Sequence, residues 1–477
     1  MSLSFPWARS SPWHHRFTPE LAAILLVYFV QGALGIARLA TSFYFKDQLG
    51  LAPAEVAALT GIAVIPWTIK PLYGFISDNL PIAGYRRRPY LLLSGLAGCA
   101  AWWSLATVVH SAWAATVAVT LSSLSIAIAD VIVDAIVVER TRAEDRAGAG
   151  TLQSLTWGAT AVGSLVTAYW SGALLERFSP QVVFEIAAAL PILVAIAAWV
   201  IGDKPAARLR TDDSTPAPSR FQQLRALRKA IAQPSIFLPA GFMFCWQATP
   251  STDSAFFFFV TNDLGFGPEF LGRVRLLTSI ASLLGIFIFQ RWLRAVPLRK
   301  ILFWMTLISF VLGLTSLILV LHLNRAWGVD DRWFSLGDSV VLTVAGQIAF
   351  MPILVLAARM CPPGIEATLF ALLMSVLNLA GLVSQELGAI LTHSLGVTET
   401  DFTQMWLLVA LANATTLLPL PLLRWLPDTA AVEAEPEGRA GLDEPELPSL
   451  LELSSTEAEV TRAASATDST AVAIESD

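Results

Sequence analysis

The chain has 477 residues, 55% of them hydrophobic and 14% charged, with a formal net charge of −6. Soluble domains carry about a quarter of their residues as Asp, Glu, Lys and Arg, so this composition excludes an ordinary water-soluble protein and places the bulk of the chain in lipid. It also excludes disorder, collagen and coiled coil as the main character, while Cys99, Cys245 and Cys361 are too few and scattered for a disulfide framework or a zinc site.

Residues 1–19 carry Arg9 and Arg16 but no apolar stretch with a small-residue cleavage site, so the first span is expected to be its own insertion signal. A bilayer crossing needs about 20 apolar residues. Twelve such segments are expected, near 20–45, 54–76, 90–110, 112–137, 151–175, 181–202, 235–261, 269–292, 299–321, 338–359, 366–393 and 402–426. Backbone groups in hydrocarbon must be satisfied within the segment, so these are helices and the fold class is an all-α polytopic membrane protein. Lys and Arg gather in alternate loops, at Arg86 to Arg88, Arg140 to Arg146 and Lys204 to Lys229, which sets both termini on the cytoplasmic side.

The loop 203–234 divides the chain into six-helix bundles at 20–202 and 235–426. A weak repeat agrees: GTLQSLTWGATAVGSLV from Gly150 aligns with ATLFALLMSVLNLAGLV from Ala367, and Gly74-Phe75-Ile76 with Gly285-Ile286-Phe287. Together these point to parallel six-helix repeats about an axis along the membrane normal. Residues 427–477 turn to Pro, Glu, Ser, Thr and Ala and read as a disordered acidic tail on the cytoplasmic side.

Chemistry is concentrated in ionisable residues inside spans, each of which costs a few kcal/mol in lipid and so faces a cavity or a partner. Asp130 and Asp134, four apart in the fourth helix, share one face, and two close carboxylates disfavour joint ionisation, which suits proton coupling. Arg38 lies on one stripe with Gln31 and Ser42. Lys70 precedes Pro71, Asp253 follows Pro250 at an expected kink, Arg273 and Arg275 occupy the first turns of the eighth helix, and Asn378 and Gln385 form a stripe beside Glu386. For Lys70 and at least one of the two arginines, snorkelling to the surface is the competing explanation. The run Phe256 to Phe259 and Trp67 offer rings for stacking, although packing against lipid or core accounts for such runs as well. No phosphate-binding loop, zinc motif or histidine cluster occurs, so neither an enzyme nor a cofactor or metal site is expected.

The stretch GFISDNLPIAGYRRRPY, Gly74 to Tyr90, places Gly74, Asp78 and the cluster Arg86, Arg87 and Arg88 where major facilitator transporters carry a conformational latch. Glu139 and Arg140, at the exit of the fourth helix, would complete it. The insertion NLPIAGY departs from the general superfamily pattern, and SDNLPIAGYRRRPY instead resembles the signature of the folate-biopterin transporter family, a branch of that superfamily. ADVIVDAIVVERTR (Ala129 to Arg142) and TPSTDSAFFFFVTNDLGFGPEFLG (Thr249 to Gly272) strengthen the likeness, whereas the loop after the eighth helix lacks a matching Asp.

The resemblance implies the major facilitator fold and a folate or pterin substrate. Twelve helices in two halves suit alternating access in a plasma or inner membrane. Coupling to protons through Asp130 or Asp134 is the expectation, with exchange of one pterin for another as the alternative. In that setting Asp134 or Asp253 suits a pterin N–H edge, and Arg38 or Arg273 the carboxylates of a glutamate tail. Two other readings are a pigment-delivery or light-harvesting-assembly protein of the same fold and a non-transporting scaffold or sensor. No nucleic-acid partner is expected. The acid-rich tail accounts for the negative net charge, and the membrane body is left with a positive balance that suits an anionic substrate.

Overall fold

The computed structural model describes residues 18–142, 146–203, 232–293, 296–360 and 366–426. The N-terminal segment before Thr18, nearly all of the central loop and the acidic tail lie outside the described residues. The helices group into consecutive rods. They are α1 (Pro19–Gln48), α2 (53–79), α3 (Arg88–Thr107), α4 (Ala112–Arg142), α5 (Arg146–Leu175) and α6 (Pro180–Val200). These are followed by α7 (234–263), α8 (Pro268–Leu293), α9 (Leu298–Val320), α10 (Asp331–Arg359), α11 (Glu366–Ser394) and α12 (Met405–Trp425). Among the described residues, 9 helices are long and apolar enough to cross a membrane. The other rods are α2 and α7, which are interrupted, and α5, whose sequence is diluted by Gly, Ser and Thr.

The expected spans match these rods closely, with α10 the largest departure at its start. That helix begins at Asp331, where Asn324 donates to the carboxylate at 2.7 Å and Arg325 grips it at 2.7 Å. The first two turns of α10 are therefore set by polar capping, which hydropathy does not register.

Five rods are broken: α12 turns over 416–419 before a short 3-10 stretch, and in the other four local sequence explains where. α1 kinks at Leu34 and Gly35, α2 is cut at Ala63 and Val64 ahead of Pro66 and again at Ile69 ahead of Pro71, and α7 parts over 248–252 around Pro250. Pro lacks the N–H that continues a helix and clashes with the preceding turn. α9 parts at Leu314, after Gly313.

A closer repeat than the two expected from sequence joins the first and seventh rods. Both α1 and α7 begin at a proline, Pro19 and Pro234, and end in a widened π-helical turn, Tyr44–Gln48 and Phe259–Asp263. Each turn runs into Leu-Gly and then a proline, Pro53 or Pro268, that opens the next rod. Gly50 at φ +64° and Gly265 at φ +66° supply the left-handed residue the turn needs. The hydrogen bonds match: Leu51 N to Phe45 O at 3.1 Å and Phe266 N to Val260 O at 2.9 Å.

Apolar burial follows the same division. The largest core cluster draws on α1, α3, α4 and α6 with Phe258 from α7, and the three others lie wholly within residues 236–426. The first and last six rods meet along α5 with α8 and along α2 with α11. At the α5–α8 crossing, a Cβ added to Gly272 would stand 2.8 Å from the Gly172 Cα and 2.9 Å from the Tyr169 carbonyl oxygen, so only glycine permits this approach.

Replacing Gly272 with Leu drives the two backbones apart and costs at least the roughly 1–3 kcal/mol typical of overpacking. Thermal unfolding of the detergent-solubilised protein is expected to show a melting temperature several degrees lower. Gly158→Ala, in α5 with open space where its Cβ would go, leaves it unchanged or slightly raised.

Candidate functional site

Two groups of charged side chains lie inside the bundle. The first is built on α4. Asp130 and Asp134 share a face, as their spacing requires. Lys70, the first residue of the last helical piece of α2, forms an ion pair with Asp130, their side chains being 17% and 12% exposed. The Lys70 ammonium also lies 4.5 Å from the Trp67 ring centre, and the Trp67 indole donates to Ser123 Oγ at 3.1 Å. Tyr28, buried in α1, donates its hydroxyl to Asp134. Asp134 itself is exposed although Ile132, Val133 and Ile136 around it are buried, so this carboxyl opens on space within the site.

The second group is cationic. Arg38 is exposed on a stretch of α1 where Ile36, Ala37, Leu39 and Ala40 are all buried. Arg275, from α8, is close enough for the two guanidinium groups to repel each other, and it donates to the Gly35 carbonyl at the α1 break at 3.2 Å. Neither arginine has an ion-pair partner among the described residues. One turn before Gly35, Gln31 Nε2 is buried with no hydrogen-bond partner among the described residues. An anion entering here meets two unneutralised guanidinium groups, each able to bind a carboxylate by two parallel hydrogen bonds.

The other expected site residues fall elsewhere. Arg273 points outward and pairs with Glu269 at 2.5 Å, its side chain 61% exposed. Sequence reading named Arg38 or Arg273 for a substrate carboxylate; it is Arg275 and not Arg273 that reaches the α1 break, because residues two apart on a helix face nearly opposite sides. Asn378 donates to the Trp67 carbonyl at 3.0 Å, tying α11 to the break in α2. Gln385 and Glu386 pack against Gly61 of α2. Asp253 opens the second piece of α7 and lines a cavity enclosed by α7 and α9 to α12. Of the phenylalanine run, Phe258 and Phe259 are core, Phe257 packs edge-on to Phe43 with ring centres 5.2 Å apart, and Phe256 lines that cavity.

The latch residues are partly described. Gly74 brings α2 against Val131 of α4. The segment that follows forms a tight turn in which Ile82 and Tyr85 exchange backbone hydrogen bonds of 3.0 Å, with Ala83 and Gly84 at positive φ. Asp203 then accepts from the backbone N–H groups of Arg87 and Arg88 at 2.8 and 3.0 Å. The Arg88 guanidinium caps the end of α6 through the carbonyls of Ala198 at 3.0 Å and Trp199 at 2.9 Å. Arg88 is thus fixed within the first six rods, and Arg86 buries its Nε without a hydrogen-bond partner among the described residues. The side chains of Asp78, Glu139 and Arg140 lie outside the described residues.

A profile of the BT1 family matches residues 31–441. The chain belongs to the BT1 family. It is 57% identical over 408 residues to a folate-biopterin transporter of Synechocystis sp., a match covering 86% of this chain and 82% of the relative. It is 30% identical to folate transporter 2 of Plasmodium falciparum, covering 86% and 88% of the two chains. Among solved structures it is similar to the nucleoside transporter NupG, with a TM-score of 0.62 at 15% identity over 85% of this chain and 98% of that one. The D-xylose-proton symporter gives a TM-score of 0.63 at 13% identity, covering 86% and 98%. At such identities the likeness is one of fold, and the fold is that of the major facilitator transporters.

Sequence reading did not single out three residues of this BT1 chain's interior. Tyr28 reads as core in an apolar helix, Arg275 was named only together with Arg273, and Asp338 falls on the edge of an expected span. The ion pair of Lys70 and Asp130 gives a direct test of the α4 cluster. Lys70→Met leaves Asp130 charged and unpaired away from water, a loss of about 3–5 kcal/mol, whereas adding Asp130→Asn restores most of it. Melting temperatures of the two single variants and the double variant are expected to show this coupling.

Proposed function

We propose that the chain is a secondary transporter that carries folates and related pterins by alternating access between the six-helix halves 20–202 and 235–426, coupled to protons at Asp130 and Asp134. The observation that carries this reading is that the interior holds both an unneutralised pair, Arg38 and Arg275, and the acidic cluster of α4. A folate presents both complements, carboxylates on its glutamate tail for the arginines and a pterin N–H edge for a carboxylate such as Asp134. The relatives named as folate or folate-biopterin transporters support the substrate class, and the neighbour named as a proton symporter supports the coupling.

The proton would move within the α4 cluster. Asp130 is held by Lys70, whereas among the described residues Asp134 is held only by the neutral hydroxyl of Tyr28 and is open to the site. Asp134 is therefore the carboxyl that takes up and gives back a proton, with Asp130 engaged by Lys70 beside it. The distribution of Lys and Arg supports a plasma or inner membrane with both termini on the cytoplasmic side.

Uptake of labelled folate into proteoliposomes, with and without a pH gradient, tests the reading. No uptake above protein-free vesicles for any pterin overturns it. Arg38→Gln and Arg275→Gln are each expected to raise the KM for folate roughly 10- to 100-fold, the loss of one charge-assisted bond of about 1.5–3 kcal/mol. Uptake of biopterin, which has no glutamate tail, changes much less. Asp134→Asn is expected to abolish stimulation by the gradient while leaving exchange of one pterin for another.

A further inference from the structure

A cavity of about 520 Å³ is lined only by residues of α7 and α9 to α12, separate from Lys70 and Arg38. Its walls carry many hydroxyls, and Asp338 projects into it from α10, two turns from the start of that helix. Among the described residues, no ion pair reaches this carboxyl. An ionised carboxylate in a membrane span, without a cation beside it, costs several kcal/mol and is ordinarily neutralised.

The hydrogen bonds around Asp338 indicate what neutralises it. Ser316 donates to one carboxyl oxygen at 2.9 Å. The Thr315 hydroxyl touches both the other carboxyl oxygen and the Leu312 carbonyl at the break in α9. A hydroxyl has one proton and cannot donate to both. With Asp338 ionised, one of these oxygen–oxygen contacts contains no hydrogen. With Asp338 protonated, the acid donates to the Thr315 oxygen, Thr315 donates to Leu312, Ser316 donates to the free carboxyl oxygen, and every group is satisfied. A metal cation does not fit between oxygens already in hydrogen-bond contact.

We propose that the cavity of the last six rods is a proton-binding site, with Asp338 as its protonated acid, distinct from the α4 cluster. The one other titratable side chain among the residues lining the cavity is Asp253 of α7; α9, α11 and α12 contribute hydroxyls, the Asn413 amide and small or apolar residues. Loss of the proton turns Thr315 toward the carboxylate and withdraws it from Leu312, so protonation of Asp338 and closure of the α9 break are linked. Asn413, which donates to the Phe310 carbonyl at 2.8 Å, holds the same break from α12.

Infrared spectroscopy of the purified full-length protein near neutral pH tests this without reference to transport. A protonated-carboxyl C=O band is expected in the wild type, absent in Asp338→Asn and shifted in Thr315→Val, which removes its acceptor. Asparagine donates its amide N–H as the acid donates its proton, so Asp338→Asn is expected to fold with an unchanged melting temperature. An Asp338→Asn chain that misfolds, or a carboxyl band the same in wild type and variant, overturns the proposal. So does a band that vanishes on adding sodium at constant pH, which would mark a cation site. Failure of folate uptake leaves these readouts untouched, so the two readings fail separately.

Discussion

Everything inside this bundle depends on one constraint: a helix broken in hydrocarbon exposes backbone groups that nothing in the lipid can satisfy. In four of the broken rods, α1, α2, α7 and α9, a polar side chain from a neighbour serves a carbonyl at a break. Arg275 of α8 serves the Gly35 carbonyl in α1, and Asn378 of α11 the Trp67 carbonyl in α2. In α7, Ser384 Oγ donates to the Thr249 carbonyl at 2.5 Å while its own carbonyl accepts from Ser251 N at 3.0 Å. Asn413 of α12 completes the set at Phe310 in α9. Two of the four repairs, at α1 and α2, pass from the last six rods to the first six.

The breaks also decide where charge sits. Lys70 occupies the first turn of its helical piece, where the backbone dipole disfavours a cation, so it depends on Asp130 and on the Trp67 ring for its place. Arg38 follows the α1 break by one turn and Asp253 begins the helix after the α7 break. With α1 and α7 built alike, from their opening prolines to their closing left-handed glycines, these two residues are counterparts of opposite charge. The two sets of six rods thus meet the interior with complementary chemistry, basic from α1 and acidic from α7.

How much of this was legible follows from what hydropathy senses. Rod positions are set by apolar length, and the sequence showed them to within a few residues except at α10, where Asp330, accepting from Arg332 N, and Asp331, held by Asn324 and Arg325, start the helix ahead of the apolar run. That error hid Asp338, because a residue at the edge of an assigned span does not register as buried charge. Asp130 and Asp134 were legible because their spacing alone puts them on one face. Arg273 and Arg275 were not separable, since the choice depends on which side of α8 faces α1. Asn378 was read as cavity lining from its polarity, and what it binds is backbone, a partner no side-chain pattern reveals.

In the transport reading, the inter-half repairs bear on how substrate binding and movement are joined. Arg275 holds the Gly35 carbonyl through one nitrogen, and a guanidinium has five N–H donors in a fixed fork, so a substrate carboxylate uses the remaining donors without releasing the carbonyl. Binding then stiffens the contact between α1 and α8 and draws Arg38 and Arg275 together by removing their repulsion. Parting the halves requires the opposite: Gly35 and Trp67 must exchange Arg275 and Asn378 for water, which becomes available only once the cavity floods. The occupied site favours the joined arrangement and the hydrated site the parted one, which is the differential interaction that a ligand must have to shift a conformational equilibrium.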